Sequence, residues 1–147
     1  MTRSEAREHV FRILFETEFQ PGVNTDEMIN VYLENFSEEE VPSEKELEFI
    51  RREVKGTLTY IEEIDEKIAG SLRGWKLSRI PRCDRAILRL AIYEIEYADD
   101  IPVSVSINEA VELDKNYDDP DTVSFINGVL GGFMRGEFPT AEETQQE

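Results

Sequence analysis

Apolar and polar positions follow a helical period along almost the whole chain. In the first segment Ala6, Val10, Ile13 and Leu14 make one apolar stripe. Arg3, Arg7, Phe11, Phe15 and Phe19 make a second ridge at successive i, i+4 steps, basic at one end and aromatic at the other. A helix with two such faces is either central or keeps one face for a partner, and the pattern alone leaves both open. Thr2-Arg3-Ser4-Glu5 reads as a capping box and Pro21-Gly22 as a stop, which predicts a helix over 2–19. Met28, Val31, Tyr32 and Phe36 predict a second helix over 25–36, followed by an acidic loop over 37–42. Ser43-Glu44-Lys45-Glu46 is a second capping box, opening a long helix through Leu47, Ile50, Val54, Leu58 and Ile61. A break near Gly56 and Thr59 is expected, with the helix resuming through Ile64 and Ile68.

Residues 74–81 read as a basic turn. The next predicted helix, over 82–97, is apolar nearly all round, so it belongs at the centre with one edge exposed: Arg82, Arg85, Arg89 and Glu96. Asp84 falls outside that strip, in the first turn, where a carboxylate favours the helix dipole or meets a partner. Ser106-Ile107-Asn108-Glu109 reads as a third capping box opening a helix to 117. Asp119-Pro120 supplies an N-cap and an N1 proline for a last helix, expected to end at Gly131-Gly132. Its stripe is Val123, Ile126, Val129, Leu130 and Phe133; Phe125 lies on the margin, sharing a face with Asp121. With no strand alternation the class is all-α, about seven helices in two small bundles packed together. One domain is expected over 1–135, its bundles over 1–73 and 81–135, with an acidic flexible tail over 136–147.

A net charge of -17 argues against nucleic acid until its distribution is considered. Nine of the sixteen basic side chains fall within residues 1–12 and 71–89, so a basic patch remains open beside the reading of solvated flanks. The single cysteine, Cys83, excludes an intramolecular disulfide and reads as an inert thiol. The charged first twenty residues resemble no signal peptide, and no apolar run is long enough to span a membrane, so a cytoplasmic protein is expected. The sole histidine, His9, has no metal-ligand spacing around it, and no HExxH, CxxC, GxSxG or phosphate loop occurs. The expectation is a non-enzymatic chain without cofactor or metal.

Three segments carry a resemblance. Trp75-Lys76-Leu77-Ser78-Arg79-Ile80 leads into Asp84-Arg85-Ala86-Ile87-Leu88-Arg89-Leu90-Ala91-Ile92-Tyr93-Glu94. Ile101-Pro102 leads into Ile107-Asn108-Glu109-Ala110-Val111-Glu112-Leu113, and Ser124-Phe125-Ile126-Asn127-Gly128-Val129-Leu130 follows. In this order and spacing they resemble the NusB transcription antitermination family. The resemblance implies a partner, the ribosomal protein that doubles as NusE, and a target, the boxA element of nascent RNA, within the RNA polymerase antitermination complex. A homodimer is a further option. By motif position, the resemblance implies RNA contacts at Arg3, Arg7, Asp121 and Phe125 and a NusE-facing surface at Phe15 and Asp84. Asn108, Glu109 and Asn127 read as capping and core hydrogen-bonding residues. Glu5 and Glu8 interrupt the arginine run usual in the family, and Asp114 stands where a small residue is usual.

The same fold also serves as the RNA-binding front domain of a ribosomal RNA methyltransferase, a reading set aside because no cofactor-binding domain follows. The alternative is a helical protein–protein adaptor that does not touch RNA directly.

Overall fold

The Thr2 hydroxyl accepts from the Glu5 N–H at 3.0 Å, and the Glu5 carboxylate reaches back to the Thr2 N–H, opening α1 (Arg3–Thr17). Ser43 and Glu46 repeat this exchange at the start of α3 (Glu44–Thr59). In the computed structural model the described residues are 1–72 and 76–135. They form seven α-helices: the two above, α2 (Thr25–Leu33), α4 (Ile61–Ser71), α5 (Arg82–Tyr97), α6 (Val103–Lys115) and α7 (Pro120–Met134). A single 3₁₀ turn, Leu77–Arg79, precedes α5. Residues 73–75, which include the start of the expected basic turn, and the expected tail, residues 136–147, lie outside the described residues.

The boundaries of α6 and α7 differ from the sequence reading for packing reasons. α6 opens behind Pro102, so Ser106 lies inside the helix and caps nothing. Its buried hydroxyl instead donates to Glu94 Oε1 at 3.1 Å, which satisfies a charged acceptor in the core. α7 runs past Gly131 and Gly132 to Met134, because Leu130 and Phe133 are buried and hold that last turn in the core. The expected break falls at Tyr60, next to Thr59, between α3 and α4, and α3 runs unbroken through Gly56. A Cβ at Gly56 would collide with the hydroxyl edge of the Tyr93 ring, so this glycine lets α3 close on α5 rather than breaking the helix.

α5 is the centre, contacted by α1, α3, α4, α6 and α7. Ile87, Leu88 and Ile92 are fully buried there, meeting Ile13 from α1, Ile50 from α3, Ile64 from α4 and Ile126 from α7 in one continuous core. Each such side chain contributes roughly 1.5–3 kcal/mol by leaving water. α1 lies antiparallel to α5, since Arg7 pairs with Glu94 while Glu18 meets Arg85 and Arg89. It runs alongside α6 in the same sense, through Ser4 to Glu109 and Arg12 to Tyr117. These directions decide which candidate residues can share a surface.

Candidate nucleic-acid interface

At the N-terminal end of α1 the Arg3 guanidinium lies 4.1 Å above the Phe49 ring centre, and that of Arg52 lies 5.6 Å from the same centre. Lys45, Glu48, Asp100 and Ile101 complete a surface cleft of about 470 Å³ around them. Arg52 is tied to Asp100 at 2.8 Å. Arg3 and Lys45 are exposed and in no ion pair among the described residues, which leaves two cations available to a phosphate. Sequence reasoning found Arg3 but missed Lys45, Phe49 and Arg52, because these stand on α3 and only the packing of α1 on α3 brings them together.

Arg7, one turn further along α1, is different. Its side chain is buried, 5% exposed, and its Nε and Nη2 donate to the Glu94 carboxylate at 3.0–3.2 Å. Nη1 also lies 4.0 Å from Glu109. A phosphate would have to compete with a buried bidentate carboxylate, so Arg7 does not stand free beside Arg3. Glu53 lies in the same interior, fully buried, with neither carboxylate oxygen hydrogen-bonded. Burial, then the nearby Glu94 charge, pushes its carboxyl up to about 8.

The aromatic end of the ridge lies at the far end of α1, about 20 Å from Arg3 at 1.5 Å per residue. Phe15 is half-buried between Phe11 and Phe19, whose ring centres lie 6.3 and 5.2 Å away. Phe19 is 53% exposed with the Arg82 guanidinium 4.5 Å above it. The expected basic edge of α5 is neutralised here. Arg82, Arg85 and Arg89 all converge on Glu18, and Arg89 also grips Asp65 through two bonds of 2.8 and 2.9 Å.

Phe125 and Asp121 line a second cleft, about 400 Å³, with Arg79, Ile80, Pro81 and Thr122. Asp84 forms part of its floor and is only 1% exposed, so its carboxylate is not presented at the surface. Its side chain turns inward, toward Asp114 and Asp118. Arg3 and Phe125 therefore line separate clefts, the first between α1 and α3 and the second between the start of α5 and α7. Asn108 and Asn127 are exposed rather than core hydrogen-bonding residues, and Glu109 accepts from the Ser4 hydroxyl at 2.8 and 2.9 Å instead of capping α6.

Comparison with known proteins gives a consistent picture. The sequence model described as the NusB family matches residues 4–135. The chain is 44% identical over 137 residues to the transcription antitermination protein NusB of Thermoanaerobacter sp. (strain X514), covering 93% of each. It is 44% identical over 142 residues to the protein of that name from Acetivibrio thermocellus, covering 97% of this chain and 94% of the relative. Among solved structures it is similar to T. maritima NusB, with a TM-score of 0.82 and 31% identity over 100% of this chain and 99% of that one. A chain from the crystal structure of antitermination factors NusB and NusE in complex with dsRNA aligns with a TM-score of 0.79 and 26% identity, covering 92% and 99%.

Proposed function

This chain belongs to the NusB family, and we propose that it acts as a transcription antitermination factor that binds boxA RNA of nascent transcripts together with NusE. On this reading the complex travels with RNA polymerase in the cytoplasm and helps it pass terminators, notably in ribosomal RNA operons. The role is binding rather than catalysis. No helix among the described residues is long and apolar enough to cross a membrane.

The observation that carries the RNA reading is the Arg3, Lys45 and Phe49 cleft. In a chain of net charge -17 it brings two unpaired cations, Arg3 and Lys45, to one solvent-facing spot, with Arg3 seated over the buried Phe49 ring. The cations hold phosphates without reading sequence, while Phe125 in the other cleft offers a ring for an unpaired base. Arg7 acts as a positioning residue, fixing the turn of α1 that presents Arg3. Phe15 and Phe19 form the NusE-facing surface, while Asp84 shapes the floor of the Phe125 cleft. The net charge makes a basic partner the natural source of further cations. The runner-up, a protein adaptor that leaves RNA to NusE, draws on the three α5 arginines being occupied by Glu18 and Asp65.

A boxA RNA titration separates the two. With NusE present, Arg3→Ala combined with Lys45→Ala weakens binding across a salt series if the chain touches RNA. Affinity equal to that of the unsubstituted protein would leave only the adaptor.

A further inference from the structure

Three elements bring four metal-ligating side chains together away from the cation–aromatic cleft. Cys83 and Asp84 lie in the first turn of α5, Asp114 at the end of α6, and Asp118 in the turn before α7. The Cys83 Sγ and one carboxylate oxygen each from Asp84 and Asp118 lie within 4.8 Å of one another. The turn is held in place by the Asp118 N–H, which donates to the Asp114 carbonyl at 2.9 Å.

The second observation is what these groups lack. Asp114 is 0% exposed and Asp84 1%, and no N–H or hydroxyl donor reaches either Asp114 oxygen, Asp84 Oδ1 or Asp118 Oδ2; the only side-chain partners of these carboxyls are one another. Buried carboxylates without a counter-charge cost several kcal/mol each. Either protons or a cation must compensate them. Protons alone explain the acids but give the thiol no part. A soft sulfur converging with hard oxygens is the donor set of a borderline cation such as zinc.

We propose that Cys83, Asp84 and Asp118 form a binding site for one zinc-class divalent cation, with the buried Asp114 carboxyl supporting Asp84 and Asp118 from behind. Tetrahedral zinc with bonds of about 2.0–2.3 Å spaces its donors roughly 3.3–3.8 Å apart, so these three donors close by about 1 Å on binding and leave a fourth position for solvent. The Phe125 cleft, with Asp84 in its floor, and the partly exposed Cys83 and Asp118 give the ion a way in. Burial and the surrounding carboxylates push Asp84 up to about 7, Asp114 to about 8 and the Cys83 thiol to about 12, so the empty cluster holds protons that a dication displaces. A bound ion would pin the starts of α5 and α7 to the end of α6, setting the shape of the Phe125 cleft.

Cobalt chloride added to the chelator-treated full chain tests this. One Co²⁺ per chain should bind with a near-ultraviolet sulfur-to-metal charge-transfer band, and zinc chloride should displace it and raise the thermal midpoint. Cys83→Ser, the only thiol removed, should abolish the band while circular dichroism stays helical. Asp114→Asn should weaken zinc binding at least about tenfold; if that variant fails to fold, the Cys83→Ser comparison decides alone. Cobalt binding without the band, or zinc affinity equal in wild type and Cys83→Ser, would show only diffuse attraction to an acidic surface and overturn the site.

Discussion

The Arg7 guanidinium and the Glu94 carboxylate meet inside the protein, Nε 3.0 Å from Oε2 and Nη2 3.1 Å from Oε1, and tie α1 to the central helix. The Ser106 hydroxyl supports the same carboxylate from α6. Removing the cation leaves a buried, partly unsatisfied anion, so Arg7→Ala should cost about 3–5 kcal/mol in urea unfolding. Arg3→Ala, at an exposed position, should stay within about 0.5 kcal/mol. Equal stability losses for the two would contradict the division between a positioning arginine and a contact arginine.

Salt dependence distinguishes cations that meet phosphate from cations occupied within the fold. Arg3→Ala and Lys45→Ala should each lower the slope of log affinity against log salt by about 0.7 for single-stranded RNA in the NusE-bound complex. Arg89→Ala should leave the slope unchanged, because that guanidinium is shared between Glu18 and Asp65. A drop in slope on removing Arg89 would mean that RNA opens those ion pairs.

Glu53 gives a stability that declines as pH rises. Its folded-state value of about 8 lies above the ordinary 4.5, so the folded protein holds this proton more tightly than the unfolded chain does. The contribution is whole below pH 4.5, falls between 4.5 and about 8, and is then gone. Glu53→Gln keeps the shape and removes the titration. The variant should therefore gain stability relative to wild type between pH 5 and 8, measured by denaturant midpoints. A constant difference across that range would place the charged form in the native state.

The helices were legible because period and caps are local: Thr2 with Glu5, and Ser43 with Glu46, cap as their spacing predicts. The same local signal misled at Ser106, where the pattern of a cap sits mid-helix because its hydroxyl serves a carboxylate twelve residues away. Arg3 and Arg7 look equivalent on a helical wheel. What separates them is that Glu94 lies within reach of one, a fact of the α1 and α5 packing. Asp84 likewise reads as a surface carboxylate until Asp114 and Asp118, some thirty residues on, arrive beside it. Lys45 and Phe49 carried no signal beyond an ordinary amphipathic helix.

Phe15 and Phe19 should separate in a partner-binding assay. Phe19 is exposed and held only by its ring contacts, so Phe19→Ala should weaken NusE binding by at least about 1 kcal/mol and leave thermal stability nearly unchanged. Phe15 is half-buried against the core, so Phe15→Ala should lower the thermal midpoint as well. Unchanged NusE binding for Phe19→Ala, measured calorimetrically, would remove this end of α1 from the interface.

Phe125 tests whether its cleft takes a base. The ring is half-buried beside Ile80 and Pro81, with Asp121 and Arg79 at the rim, so it has an apolar platform with polar edges. Stacking releases no counterions. Phe125→Ala should therefore cost about 1–3 kcal/mol in boxA affinity while the salt slope holds. Loss of packing under α7 would instead weaken everything together, so NusE affinity and thermal midpoint must be read on the same variant. Phe125→Tyr, which keeps a ring of similar size, should restore most of the RNA affinity if stacking is the cause. RNA affinity that stays at the wild-type level in Phe125→Ala would leave Arg3 and Lys45 as the contact and make the second cleft a surface for something other than RNA.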